Sequence, residues 1–186
     1  MEINDITSYL HDRFGASVKT NSPDAWQVET PEFRLLVLLS ADQSWLRLLI
    51  PIAPAQTVQS FLSQILEANF DLTQEARYAL HQEVLWGVFL YDLATLTEER
   101  LAAAISRLLA MKQEGIDPFF NALVEKQIRQ IIHAAKLQGQ SLQETMQTLD
   151  RFYSEGIMGD MGGGEYQGQV LEAWRRQLER LWPEVN

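Results

Sequence analysis

The segment VLWGVFLY, residues 84–91, decides the fold that the sequence predicts. It is rich in aromatic and β-branched residues, which favours a β-strand. Successive side chains of a strand point to opposite sides of its sheet, so this strand would present apolar side chains on both sides and would need cover on each. Helices of the same chain can cover one side. The other side needs a second subunit, the C-terminal part of the chain or a bound client, and a second subunit is favoured.

The segments that precede residues 84–91 supply the other strands. Tyr78 and Leu80 alternate with polar neighbours, which predicts a hairpin with residues 84–91. Three more strands are expected upstream, near residues 26–28, 33–39 and 45–52. Polar turns or prolines separate these segments, so the three strands should form a meander.

Helical periodicity marks the rest of the chain. Apolar residues three or four apart, bounded by capping residues, prolines or glycines, predict helices over residues 3–14, 57–70, 95–115, 117–139, 141–156 and 169–183. Thr95 with Glu98 and Ser141 with Glu144 fit the capping box, in which two side chains satisfy backbone N–H groups at a helix start. Residues 157–168 are rich in glycine and predict a loop.

The predicted fold class is α+β. It has a five-stranded, mostly antiparallel sheet with helices in the order αβββαββα, followed by C-terminal helices. The predicted domains are an α+β domain over residues 1–115, a helical extension over 116–156, the Gly-rich loop over 157–168 and a C-terminal helix over 169–183.

Charge and composition exclude several classes of partner. The chain has 15 Lys and Arg against 25 Asp and Glu, a formal net charge of −10, which repels nucleic acid and anionic membranes. No apolar run approaches the ~18 residues of a membrane span, and no basic region precedes an apolar run at the N-terminus. The absence of cysteine fits a reducing compartment. We therefore expect a cytoplasmic protein with a protein partner.

Motifs for chemistry are missing from the sequence. The three histidines, His11, His81 and His133, do not have metal-ligand spacing, and there is no nucleophile elbow. The glycine-rich residues 159–165 lack the Lys-Ser/Thr that ends a phosphate-binding loop and carry two acidic residues. The sequence therefore predicts no catalytic, cofactor-binding or metal-binding residues, and no enzyme.

The segment ARYALHQEVLWGVFLY, residues 76–91, followed by LTEERL, residues 96–101, resembles the class I type III secretion chaperones and the related YbjN-like domains. With the element order, the resemblance extends over residues 1–115. It implies a small acidic domain that forms a homodimer, with residues 57–70 and 84–91 contributing to the dimer. It also implies that a client peptide binds exposed apolar patches. The helices after Gly115 exceed the usual length of the family and could cover the client groove.

The function expected from these features is non-catalytic binding of a client or partner protein. Two alternatives stay open: a regulatory or scaffold subunit that docks through its C-terminal helices, and a small-ligand binder with a pocket between the sheet and the helical extension. Apolar side chains of the expected second helix, the strand at 84–91 and the last helix are the candidate partner or dimer interface. They are Phe61, Ile65, Val84, Trp86, Val88, Leu90, Trp174 and Trp182.

Overall fold

A computed structural model describes residues 1–154 and 174–185 of the chain. The chain divides into two compact units, Met1–Phe120 and Asn121–Asn186. The predicted Gly-rich loop and the first residues of the predicted last helix lie outside the described residues. Residues 174–181 are helical.

The first unit is built on one six-stranded antiparallel sheet in the order β1-β2-β3-β4-β6-β5. Its strands are β1 (Val18–Ser22), β2 (Ala25–Glu29), β3 (Arg34–Leu39), β4 (Trp45–Pro54), β5 (Arg77–His81) and β6 (Val84–Asp92). The predicted α+β class is confirmed, whereas the predicted count of five strands is wrong. The missed strand is β1, whose exposed side chains are polar and carry no apolar alternation, so that only Val18 is buried. It forms by pairing with β2.

The helices of the first unit include α1 (Ile3–Phe14), α2 (Ala55–Val58), α3 (Leu62–Asp71) and α4 (Glu98–Glu114). Arg13 of α1 donates hydrogen bonds to the Ala102 carbonyl and the Ser106 hydroxyl of α4, so these two helices lie in one layer. α1 begins with a capping box between Glu2 and Asp5.

The helix predicted over residues 57–70 is interrupted. Residues 59–61 form a 3-10 turn between α2 and α3, with Phe61 at φ −113° and ψ 9°. Apolar side chains stay buried through the turn, since Val58 before it, Phe61 within it and Ile65 after it are all buried. The prediction of one uninterrupted helix over residues 57–70 is therefore wrong, although the chain is helical on both sides of the turn.

The predicted capping residue of α4 is also wrong. The helix begins at Glu98, and its N-cap is Thr97, whose hydroxyl accepts the N–H of Arg100 at 3.2 Å. Thr95 instead bonds Asp92 in the preceding turn. Only Thr95 has a glutamate three residues later, so the capping-box motif pointed to the wrong threonine; Thr97 caps the helix with Arg100 at that position.

The second unit is helical. α5 (Asp117–Leu137) begins at the end of the first unit and continues into the second, where α6 (Leu142–Ser154) follows. The predicted capping box of α6 is confirmed, since Glu144 accepts the backbone N–H of Ser141 at 2.7 Å and the N–H of Glu144 reaches the Ser141 hydroxyl. The apolar core of this unit consists of Ile128, Ile132, Leu149, Leu178 and Leu181.

Candidate protein-binding surface

The two sides of β6 differ in burial. Leu85 and Phe89 are each 1% exposed, whereas Leu90 is 54% exposed and Trp86 and Val88 are half-buried. This alternation follows from the strand itself, since neighbouring side chains point to opposite sides. The predicted strand at residues 84–91 is confirmed, and so are its apolar side chains on both sides.

One side of the sheet packs against α4, and we call it the closed face. Gly87 of β6 belongs to it, and a Cβ atom at this position would lie 2.9 Å from Cγ2 of Ile50 and 3.1 Å from Cδ2 of Leu108. The glycine therefore lets α4 approach the backbone of the sheet closely. Leu48 and Phe89 on this face are 0% and 1% exposed.

The opposite side of the sheet, which we call the open face, carries the alternate residues of the same strands. Directly opposite residues of antiparallel strands share one side, so the strand register identifies its members. They form a surface that is mostly apolar across the three central strands. The open face comprises Leu36 and Leu38 of β3, Trp45, Arg47, Leu49 and Pro51 of β4, and Val84, Trp86, Val88 and Leu90 of β6.

Each open-face position is half-buried or exposed, and none reaches the burial of the closed face. Within residues 1–120, all of which the structure describes, α4 and α1 lie on the closed side. The apolar surface of the open face is thus not covered by α1 or α4. A contiguous apolar surface of this kind is a common mark of a protein interaction site.

The margins of the open face are charged. On β2, Glu29 accepts hydrogen bonds from Arg34 and from Lys19 at 3.5 Å, and the bonded Arg34 guanidinium is the main cause that lowers the pKa of the Glu29 carboxyl. On β5, Arg77 stands opposite Val88. An apolar centre with a polar rim is the usual anatomy of a protein interface.

A second apolar surface lies at the outer side of α3. Its residues are Leu66, Phe70, Leu72 and Leu80, and we call it the α3 corner. Phe70 is 88% exposed and Leu66 is 67% exposed. The corner also contains Asn69, whose amide accepts the N–H of Tyr78 at 2.7 Å and donates to the Tyr78 carbonyl at 3.1 Å. These two hydrogen bonds occupy the backbone N–H and C=O of Tyr78 on the outer edge of β5, the strand that ends the sheet.

The predicted interface residues fall into three places. Val84, Trp86, Val88 and Leu90 come together on the open face. Phe61 and Ile65 are buried inside the first unit, at 9% and 2% exposure.

Trp174 and Trp182 belong to the second unit, where both are half-buried against its apolar core. Their interface role stays a prediction, as does that of the other six residues. Sequence reasoning missed the contribution of β3 and β4, including Leu36, Leu49 and Arg47. The run at residues 33–39 carried the same signal as residues 84–91, namely apolar side chains at successive positions.

Other features of the described residues offer little chemistry. No three His, Asp or Glu side chains in residues 1–154 and 174–185 are grouped closely enough to hold a metal ion. Two open depressions lie beside Met1, one reaching Asp92 and the other reaching Glu98. No helix in the described part of the chain has the length and apolar character needed to span a bilayer.

Comparisons with known proteins give matches at the level of structure. No family model and no curated protein matches the chain. The chain is similar to the solved structure of the type III secretion chaperone SycH of Yersinia pestis in complex with a stable fragment of YscM2. The TM-score is 0.49 at 16% identity, over 61% of this chain and 99% of that one.

Two further solved structures with the same kind of similarity are complexes. The ExsC–ExsE complex matches with a TM-score of 0.49 and 14% identity over 61% of this chain and 95% of that chain. The ExoU–SpcU heterodimer from the type III secretion system of Pseudomonas aeruginosa matches with a TM-score of 0.48 and 13% identity, over 61% and 96%. SycH is described as a type III secretion chaperone, the class that residues 76–91 and 96–101 resemble.

Proposed function

We propose that the protein is a non-catalytic, chaperone-like or adaptor protein that holds a segment of another protein on its open face. The observation that carries the proposal is the apolar surface of β3, β4 and β6 on the side away from α4. A cytoplasmic location is part of the same proposal, because the charge and the lack of cysteine favour it.

The shape and chemistry of the open face suit a protein segment better than a small molecule. Sites for small ligands are concave and enclose most of the ligand, whereas this surface is one side of a sheet. Its aromatic residues, Trp45 and Trp86, belong to the types that dominate binding energy at protein interfaces. The indole N–H of Trp86 donates to the carbonyl of His81 at 3.1 Å, which fixes the ring orientation.

A homodimer is also part of the proposal. The helix that the resemblance assigns to the dimer exposes Leu66 and Phe70, while Phe61 and Ile65 of the same region are buried. A two-fold contact buries the same patch on both subunits, so the exposed side chains of the α3 corner would meet their own copies. Light scattering on the purified protein and on Phe70→Asp tests this: the wild type should be a dimer and the variant a monomer. A monomeric wild type would remove the dimer from the proposal.

The decisive experiment for the open face compares two added charges. Val88→Asp places a carboxylate in the centre of the open face, and Gln113→Asp places one on the exposed surface of α4. Each variant is cross-linked in the producing cells, purified, and compared with the wild type by quantitative mass spectrometry. We expect Val88→Asp to lose partner proteins that the wild type and Gln113→Asp retain. Identical partners for all three proteins would overturn the proposal.

The scaffold alternative requires the second unit as a docking element. The second unit has its own apolar core, in which Leu178 and Leu181 are 0% exposed. Its surface carries ion pairs of Arg129 with Glu125 at 2.9 Å and with Glu184 at 2.6 Å. Deletion of residues 157–186 would remove Leu178 and Leu181 and so disrupt this core. Because Trp174 also packs against this core, a substitution at an exposed position of the last helix, Glu179→Arg, is the better test of docking through the second unit.

A further inference from the structure

Arg47 is the charged residue at the centre of the open face. It lies on β4, opposite Leu38 of β3 on one side and Leu90 of β6 on the other. Its guanidinium carbon lies 4.8 Å from the ring centroid of Trp45, two residues earlier on the same side of the strand. This cation–π contact holds the guanidinium over an apolar surface.

The guanidinium of Arg47 makes no hydrogen bond or salt bridge with the residues that the structure describes. Other arginines of the first unit do: Arg100 pairs with Glu75 at 2.7 Å, and Arg34 with Glu29. Carboxylates are in excess in this chain, 25 against 15 basic residues, so a shortage of anions is not the reason. Arg47 differs because its cross-strand neighbours are leucines.

We infer that the open face recognises a protein segment in which a carboxylate side chain is flanked by apolar ones, and that Arg47 pairs with this carboxylate. The inference rests on the proposed function and names the chemistry of the partner. Guanidinium and carboxylate form two parallel hydrogen bonds of fixed geometry, which are stronger than neutral ones. The apolar flanks of the segment would lie on leucines at either side of Arg47.

Docking makes this pairing selective. A partner that covers the open face removes water from Arg47, and a charge that loses its water without gaining a counter-charge is costly. A purely apolar segment would leave Arg47 in that condition and would be disfavoured. Arg47 therefore rejects partners without a carboxylate as well as attracting those that have one.

A second copy of the chain is a poor occupant for the same surface. A two-fold contact centred on the open face would bring Arg47 towards Arg47 of the other copy, and like charges repel. The carboxylate at the β2 margin, Glu29, is already bonded to Arg34 and Lys19. Asp92, at the end of β6, accepts the N–H of Thr95 at 3.1 Å. We therefore assign the pairing partner of Arg47 to a different protein.

The test uses an array of synthetic peptides of twelve residues with Leu and Val around one central position. The central residue is Glu, Gln or Lys, and fluorescence anisotropy reports the Kd for the full-length protein. We expect the wild type to prefer the Glu peptides over the Gln peptides by about tenfold, since a hydrogen bond to a charged group contributes about that much. Arg47→Glu should reverse this order and prefer the Lys peptides.

Two controls separate the failure of this inference from the failure of the proposed function. Arg47 variants should keep the oligomeric state and nearly the melting temperature of the wild type, because among the described residues Arg47 loses only its contact with the Trp45 ring. If peptides bind and Val88→Asp abolishes binding, but Arg47→Glu leaves the preference unchanged, the role of Arg47 is overturned and the binding face stands. If the wild type binds no peptide of the array, or Val88→Asp binds as the wild type does, both are overturned.

Discussion

The two faces of the sheet have nearly the same amino-acid types but opposite surroundings. On β4, Leu48 faces α4 and is 0% exposed, while its neighbour Leu49 is half-buried on the open face. On β6, Phe89 and Val88 differ in the same way. The closed face contributes to folding because its cover belongs to the same unit. The open face has the same apolar character without α1 or α4 to cover it, and this surface is the one to which we assign binding.

The largest expected effect comes from truncating neighbours on the two faces. Leu48→Ala should lower the free energy of unfolding by about 3 kcal/mol, because it removes a buried side chain and leaves a cavity. Leu49→Ala should lower it by about 1 kcal/mol or less, since Leu49 is only half-buried. Equal losses for the two variants would contradict the distinction between the faces.

The measurement must report the first unit alone. The chain has five tryptophans, of which Trp174 and Trp182 are in the second unit. Urea titrations in a background that carries Trp174→Phe and Trp182→Phe assign the fluorescence change to the remaining three, all in the first unit. The same background serves as the reference for each variant below.

A second prediction concerns the close packing of the closed face. Gly87→Ala should cost about 2 kcal/mol, because the added methyl group lies too near Ile50 and Leu108 and the core must shift. Ile50→Ala removes one of these contacts, so the double variant should be less destabilised than the sum of the two single variants. Additive losses would show that the crowding is not at Ile50.

A smaller effect is expected at the start of α4, the helix that covers the closed face. Thr97→Ala should lower the free energy of unfolding by about 1 kcal/mol, because the N–H of Arg100 loses its acceptor. Thr95→Ala is the matched control, since Thr95 is equally exposed but does not cap the helix. A greater loss of unfolding free energy in Thr95→Ala than in Thr97→Ala would indicate that Thr95 caps the helix, as the sequence predicted.

The last prediction is a pH effect at Asp42, in the turn between β3 and β4. This turn belongs to neither face of the sheet, so the effect should be independent of both. Hydrogen bonds from Ser40, then from Ser44, lower the pKa of Asp42 from 3.8 to about 2. The folded state thus favours the ionised carboxyl, and this stabilisation is complete above pH 4 and is lost as pH falls through 2. NMR titration should show the pKa of Asp42 rise in Ser40→Ala. An unchanged pKa would exclude Ser40 as its main cause.

Sequence reasoning predicted the strand β6 and the apolar character of both its sides, because alternation and residue type are local properties. It could not tell which side α4 covers, since that depends on how the helix packs against the assembled sheet and not on the residues of the strand itself. It missed β1, whose polar side chains carry no pattern and whose strand conformation depends on pairing with β2.

The candidate site was predicted only in part, because it too depends on how separate segments of the chain pair. Val84, Trp86, Val88 and Leu90 were chosen from one strand, and the structure brings them beside Leu49 and Arg47 only through the register of β4 with β6. Register is a property of two segments, so a single segment does not reveal it. Arg47 in particular is an ordinary charged residue in the sequence. That it lies between two leucines is visible only when its cross-strand neighbours are known.

The Asn69 amide gives the two ends of the sheet different tendencies to aggregate. An uncovered edge strand offers free N–H and C=O groups to which strands of other molecules can add, and such growth ends in fibres. At β5 the Tyr78 groups are already taken by Asn69, whereas β1 ends the sheet at the other side. At the β1 edge the side chain that opposes such growth is Lys19, because a charge on an edge strand disfavours the addition of another strand.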